Sequence, residues 1–241
     1  MQALRDPAGQ SSKLPRSFSR IFAGAVIFAV TALALAIAAK WAGSRVVDGG
    51  HTTSTKLRTI IVSGSMVVVP DNMIRRANAR RDGTRDRLDL YMAWPGLSGY
   101  TEADRYAFNH LEDEHRLIMV SLEPRMISRD MSARYDLVYR QLLNPTPLAA
   151  PAGLSAYRFE DGSGFANEVL YVGVRSGEAP FVARCLEEAA APDAVTPCER
   201  DIHLEGDLSL FYRFPRNLLT EWKELDSSVQ LRVQSLLRAS N

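Results

Sequence analysis

Lysine is nearly missing from this sequence. It occurs only at Lys13, Lys40, Lys56 and Lys223, so none stands between residues 56 and 223. Ser–Lys catalysis needs a desolvated lysine within hydrogen-bond reach of the serine, and the central region cannot supply one. Cysteine is limited to Cys185 and Cys198, which excludes a CxxC redox motif and leaves no second ligand pair for structural zinc. Histidine occurs four times, as His51, His110, His115 and His203. A zincin helix needs two histidines at i, i+4. His110 and His115 are five apart, which would turn them ~140° from each other on a helix. There is no P-loop, no dinucleotide fingerprint, no internal repeat and no low-complexity tract. An excess of one charge is also lacking. The formal net charge is +1, and the first 20 residues hold Arg5, Lys13, Arg16 and Arg20 against Asp6. Residues 21–241 are therefore slightly acidic, which gives no electrostatic basis for binding nucleic acid.

Residues 21–39, IFAGAVIFAVTALALAIAA, carry no charge and no proline. Nineteen residues rising about 1.5 Å each cover roughly 28 Å, close to a ~30 Å hydrocarbon core. A helix is the one single-segment structure that satisfies its own backbone in lipid. Trp41 follows at the interfacial position. The stretch predicts a transmembrane helix contacting the bilayer through residues 21–39. The competing reading is a cleaved signal peptide. Ala34-Leu35-Ala36 and Ala36-Ile37-Ala38 resemble cleavage sites, but the apolar run exceeds the usual ~7–15 residues. Flanking charge nearly ties: four basic residues precede the run, and Lys40, Arg45, Lys56 and Arg58 follow it. The short basic tail is hard to translocate. Together with the cysteines it predicts an inner-membrane protein with a cytoplasmic N-terminus and a periplasmic C-terminal domain. Arginine far outnumbers lysine, and alanine is abundant, as in GC-rich bacterial genomes.

An even cysteine count in an exported domain predicts one disulfide, Cys185–Cys198. The expected organisation is a basic tail (1–20), the transmembrane helix (21–39), a linker rich in Gly, Ser and Thr (40–58) and an extracytoplasmic domain (59–241). Within that domain Thr59–Ser63, Val67–Pro70, Arg85–Trp94, Leu117–Leu122, Leu154–Phe159, Glu168–Val174, Phe181–Cys185 and Ile202–Phe214 read as strands, the last broken near Gly206-Asp207. Leu208, Leu210, Tyr212 and Phe214 fall on one face. Short helices are expected after Asp71 or Asn72 and over 101–110. Met131–Leu143 reads as a longer one, with Leu137, Val138, Leu142 and Leu143 near one side. Residues 217–238 carry an apolar stripe at Leu218, Trp222, Leu225, Val229, Val233 and Leu236, which predicts an amphipathic C-terminal helix packing on the sheet, with docking of an envelope protein as the alternative. Strands and helices mix without a βαβ rhythm. The fold class is therefore α+β, mainly antiparallel, ending in that helix.

Ser63-Gly64-Ser65-Met66, followed by Pro70, resembles the Ser-Met box of type I signal peptidases, which are membrane-anchored Ser–Lys enzymes. The family's lysine after the serine and its later Gly-Asp-Asn box have no counterpart here, so the segment reads as a turn between strands. Asp161-Gly162-Ser163-Gly164 is likewise a turn, without the ligand series of an EF-hand. VVVPDNMIRR (67–76) and LSLFYRFPRNLLTEW (208–222) resemble segments of proteobacterial proteins described only as single-pass and transmembrane-anchored. The resemblance implies that architecture and no site residues. No catalytic, cofactor-binding or metal-binding residue is singled out. The expected function is non-catalytic binding or scaffolding in the cell envelope. A membrane-anchored hydrolase, built on Ser65 or on unmarked carboxylates, and an accessory subunit of a secretion or division complex are the alternatives.

Overall fold

The computed structural model describes residues 26–37, 50–109 and 115–238. Two units emerge, residues 1–49 and Gly50–Asn241. In the first, residues 26–37 form helix α1, whose side chains are all exposed. The remaining positions of the expected 21–39 span lie outside the described residues, and among the described residues no helix is long and apolar enough to cross a membrane.

The second unit is α+β. Its large sheet runs in the order β4 (Leu88–Ala93), β5 (Leu117–Pro124), β10 (Leu208–Phe214), β9 (Cys198–His203), β8 (Phe181–Leu186), β7 (Glu168–Gly173) and β6 (Ser155–Arg158). Every neighbouring pair in it is antiparallel. A small sheet pairs β1 (Leu57–Val62) with β2 (Ser65–Pro70), adds β3 (Gly83–Arg85) parallel to β1, and places β11 (Leu237–Arg238) beside β2. Backbone bridges at Ile74–Leu90 and Ala93–Ser98 cover the β4 edge of the large sheet, and Leu143–Phe159 and Leu148–Ala156 cover the β6 edge. Open edges of that kind would otherwise recruit further strands.

Helix α4 (Trp222–Leu236) follows a 3-10 segment at Arg216–Glu221. Its stripe is core: Leu218, Trp222, Leu225, Val229, Val233 and Leu236 are all buried. They meet the Leu208, Leu210, Tyr212 and Phe214 face of β10 and the inward residues Ile60, Val62, Val67 and Val69 of the small sheet. The main core thus lies between one face of the large sheet and a layer made by α4 and the small sheet. Trp222 crosses closest to β7. A Cβ on Gly173 would sit 2.6 Å from the indole, so only glycine fits there. The indole Nε1 donates to the carbonyl of Ala152 at 3.1 Å.

Several expectations are corrected. Met131–Leu143 is not one helix. Helix α3 covers only Met131–Arg134, and a 3-10 turn follows at Tyr139–Leu142. Leu137 and Val138, placed on the expected apolar side, are exposed, whereas Met131 and Tyr139 insert beneath the sheet. The two side chains reach the same cluster from separate turns, so packing against the sheet overrides helical propensity. The expected 101–110 helix shrinks to α2, Arg105–Phe108. Thr101 does accept from the Asp104 amide. The expected linker ends earlier than residue 58. Ser54 and Lys56 carbonyls accept from Asn72 and Asp71 amides at 2.9 Å, and the Arg58 guanidinium pairs with Asp71 at 2.6 Å. Strand β9 starts at Cys198 because the disulfide seats that residue opposite Cys185.

Candidate functional site

Two satellite clusters pack on the far face of the large sheet, one at each end. At the β4–β5 end, Tyr91, Ala93 and Leu117 meet Tyr100, Ala107 and Phe108. At the β7–β8 end, Leu170, Val172 and Val182 meet Met131, Tyr139 and Phe159. The middle stays open. Strand alternation points Ser209, Phe211 and Arg213 of β10 outward there, opposite the buried face. Register places Phe211 beside Ser121 and Asp201, and Arg213 beside Met119 and Glu199, with Glu199 beside Arg184.

Charges in this strip alternate in sign. Arg184 pairs with Glu199 and lies 3.3 Å from Glu168. Arg213 reaches Glu199 at 3.1 Å. Arg134 pairs with Asp201. Burial pushes the Glu168 carboxyl above its ordinary 4.5, opposed by Arg184 and reinforced by Glu199. Asp201 is also raised by burial, against the pull of Arg134. The network is incompletely satisfied: Arg134 Nε, Arg184 Nε and Glu168 Oε2 are buried without a hydrogen-bond partner. A half-satisfied buried polar network is costly. Beside it lies a cavity of about 130 Å³ lined by Arg134, Arg184, Asp201, His203, Phe211 and the β5–α3 loop. That loop presents Met126, 85% exposed, and Ile127, also exposed.

The raised Glu168 carboxyl has a testable consequence. The folded state favours its neutral form, so its contribution to stability is present below pH 4.5 and is lost as pH rises through the raised value. Glu168→Gln should therefore raise Tm at pH 7.5 and bring no gain at pH 4, read by circular dichroism melts. A Tm at or below that of the parent at pH 7.5 would reverse the sign assigned to this group.

A second polar cluster lies inside the fold. Asp226 of α4 is fully buried. It accepts from Tyr212 Oη at 2.6 Å, Arg200 Nε at 2.9 Å, Arg175 Nη2 at 2.6 Å and Gln230 Nε2 at 3.0 Å. Arg200 also donates to the Val182 carbonyl and the Ser132 hydroxyl. Burial, with the Asp226 charge beside it, pushes the Tyr212 phenol well up. With its carboxylate closed to solvent, this cluster clamps α4 to the sheet.

The sequence motifs resolve as follows. Ser63 and Gly64 both have positive φ, 48° and 78°, and form the two-residue turn of the β1–β2 hairpin. Such turns match strand twist when both central residues are left-handed. Ser65 opens β2 opposite Val62, and among the described residues no lysine is hydrogen-bonded to it. The Ser63 hydroxyl donates to Asp207 at 3.4 Å. His51 stacks on Tyr100 at 4.7 Å, its Nδ1 3.0 Å from Tyr91 Oη. His110 lies outside the described residues. His115 lines a separate cavity with the 188–197 loop, and His203 borders the open face. Among the described residues no three His, Cys, Asp or Glu gather as a metal site. The disulfide joins Cys185 and Cys198 across β8 and β9, both fully buried. The apolar stripe of α4 is buried in the core. On the helix's outer side the exposed large apolar residue is Leu231, which with Val174 lines a groove of about 620 Å³.

Sequence reasoning missed the open strip. Arg134, Arg184, Glu199 and Asp201 come from three elements, α3, β8 and β9, and the one available signal was charge at outward positions of strands β8 and β9.

No protein family matches the sequence, and no curated protein does. Among solved structures the chain is similar to Smlt3025, an immunity protein of the Stenotrophomonas maltophilia type IV secretion system, with TM-score 0.49, 12% identity, and coverage of 78% of this chain and 96% of that one. It is also similar to FrpD, the iron-regulated outer membrane lipoprotein of Neisseria meningitidis, with TM-score 0.44, 13% identity, and coverage of 78% and 95%. Likenesses this distant say nothing of what this chain binds.

Proposed function

We propose that this chain is a single-pass protein of the bacterial inner membrane, held by residues 21–39, whose periplasmic unit binds another envelope protein without catalysing a reaction. The uncharged apolar run behind a basic tail supports the anchor. The disulfide supports an oxidising compartment. The observation that carries the binding reading is the open strip of the large sheet, where Arg134 and Arg184 line a small cavity beside exposed Met126 and Ile127. A cavity of about 130 Å³ has room for one side chain, not for a metabolite or glycan chain. An apolar anchor from the partner would sit against Phe211, Met126 and Ile127, and its carbonyl or carboxylate oxygens would accept from the two arginines.

A photo-crosslinking residue at Met126 or Ile127 should trap one discrete partner in cells. The same residue at Leu231, on the α4 layer across the core, should trap none. Ile127→Asp should abolish the product formed from position 126 and leave the melting curve unchanged. A product from position 231 alone would move the contact to the outer side of the C-terminal helix and remove the sheet strip from consideration.

A further inference from the structure

Charge is unevenly placed along the folded unit. Residues 50–89 hold eight Lys/Arg against four Asp, whereas residues 90–241 hold fifteen against twenty-two Asp/Glu. The basic excess gathers around one short turn. Arg75, Arg76 and Arg81 are exposed, on either side of the 3-10 turn Ala77–Ala79. Arg76 lies 3.4 Å from Asp89, while Arg75, Arg80 and Arg81 make no ion pair among the described residues. The carboxylates nearby are otherwise engaged: Asp71 with Arg58, Asp89 with Arg87 and Ser121, and Asp82 with the Thr59 amide.

This patch adjoins the residue at which the folded unit begins. Arg80 Nη2 donates to the Gly50 carbonyl at 2.8 Å, and its Nε donates to the Ile74 carbonyl at 3.1 Å. His51 is held in the aromatic cluster of Tyr91, Tyr100 and Phe108. The chain entering the unit is therefore fastened at the patch itself. Eleven Cα-to-Cα steps lead from Ala39, where the proposed span ends, to Gly50. Fully extended, they reach roughly 39 Å. The anchor thus limits how far Gly50 and its arginines can stand from the bilayer.

We infer that Arg75, Arg76, Arg80 and Arg81 form a membrane-docking surface that takes the phosphates of anionic phospholipids. Guanidinium groups suit this ligand, since they donate two parallel hydrogen bonds to a phosphate and are weakly hydrated. A surface of anionic lipid attracts each such residue within a Debye length, and tethering raises the effective concentration of the patch at the bilayer. The contact would hold the patch at the lipid surface. This inference rests on the anchored reading given above.

Flotation and quenching of the full chain test it together. The chain is mixed with vesicles of phosphatidylcholine alone or of phosphatidylcholine with phosphatidylglycerol, carrying a quencher on the headgroups. A fluorophore is attached through Asn78→Cys, between the arginine pairs. The expected result is flotation with both vesicles and severalfold stronger quenching on phosphatidylglycerol, reversed by 0.5 M salt and lost in Arg75→Gln/Arg76→Gln/Arg81→Gln, which spares the Arg80 clamp. Flotation with equal quenching on both lipids overturns the docking surface and leaves the anchor standing. Flotation only with phosphatidylglycerol, lost in the triple variant, supports the surface and overturns the anchor. No flotation with either overturns both.

Discussion

Asp226→Asn is expected to destabilise the folded unit by about 3–5 kcal/mol, the range for breaking a buried ion pair from one side. The carboxylate is fully buried and takes hydrogen bonds from Tyr212, Arg200, Arg175 and Gln230. Its loss strands the Arg200 guanidinium, itself 4% exposed, in the interior. An amide can replace some of the hydrogen bonds but not the charge, and its NH2 end would face donors. Removing the stranded cation as well should recover part of the loss. Asp226→Asn with Arg200→Leu is therefore expected to be less harmful than the sum of the two changes, because both act on one network. Urea unfolding followed by tryptophan fluorescence reads this directly, with Trp222 reporting from the N-terminus of the same helix. A single-variant loss below about 1 kcal/mol would show that solvent reaches Asp226 and that the clamp is weaker than its burial implies.

Removing the disulfide is expected to have the next largest effect. Cys185 and Cys198 are 13 apart in sequence and face each other across β8 and β9. Closing a loop of ~14 residues contributes about 3 kcal/mol by restricting the unfolded chain. Total stabilities are typically 5–15 kcal/mol, so this is a large share. The paired change Cys185→Ala/Cys198→Ala should lower Tm by several degrees, and thiol reduction of the parent should do the same. It also opens space in the core, because both sulfurs are fully buried. The pairing itself is checked by alkylation: the native chain should resist modification until it is unfolded and reduced. Two reactive thiols in the native chain would remove the disulfide and, with it, one support for the periplasmic assignment.

Much of the fold was legible because it rests on period-2 and period-3.6 patterns. Leu208, Leu210, Tyr212 and Phe214 alternate, and they form the buried face of β10. Leu218 to Leu236 recur at helical spacing, and they form the buried side of α4 and the turn before it. The Ser63-Gly64 turn was legible for the same local reason, since a two-residue connection between β-branched runs demands left-handed backbone. Met131–Leu143 failed because its composition suits a helix, while its packing depends on where Met131 and Tyr139 meet β7 and β8. The early start of the folded unit failed too. Gly, Ser and Thr in residues 50–58 suggested a linker, but their partners Asp71, Arg80 and Tyr91 lie far along the chain.

By itself the sequence determined the apolar run at 21–39, the pairing of the two cysteines, the mainly antiparallel α+β class and the core side of the last helix. Each follows from composition or from spacing within a single segment, where geometry is set by the backbone period. Only the tertiary structure decided which surfaces remain open. The charged strip between the satellite clusters draws on α3, β5, β8, β9 and β10, and the arginine patch meets Gly50 through a contact thirty residues long in sequence. Such assemblies arise from strand order and long-range register, which no local periodicity encodes.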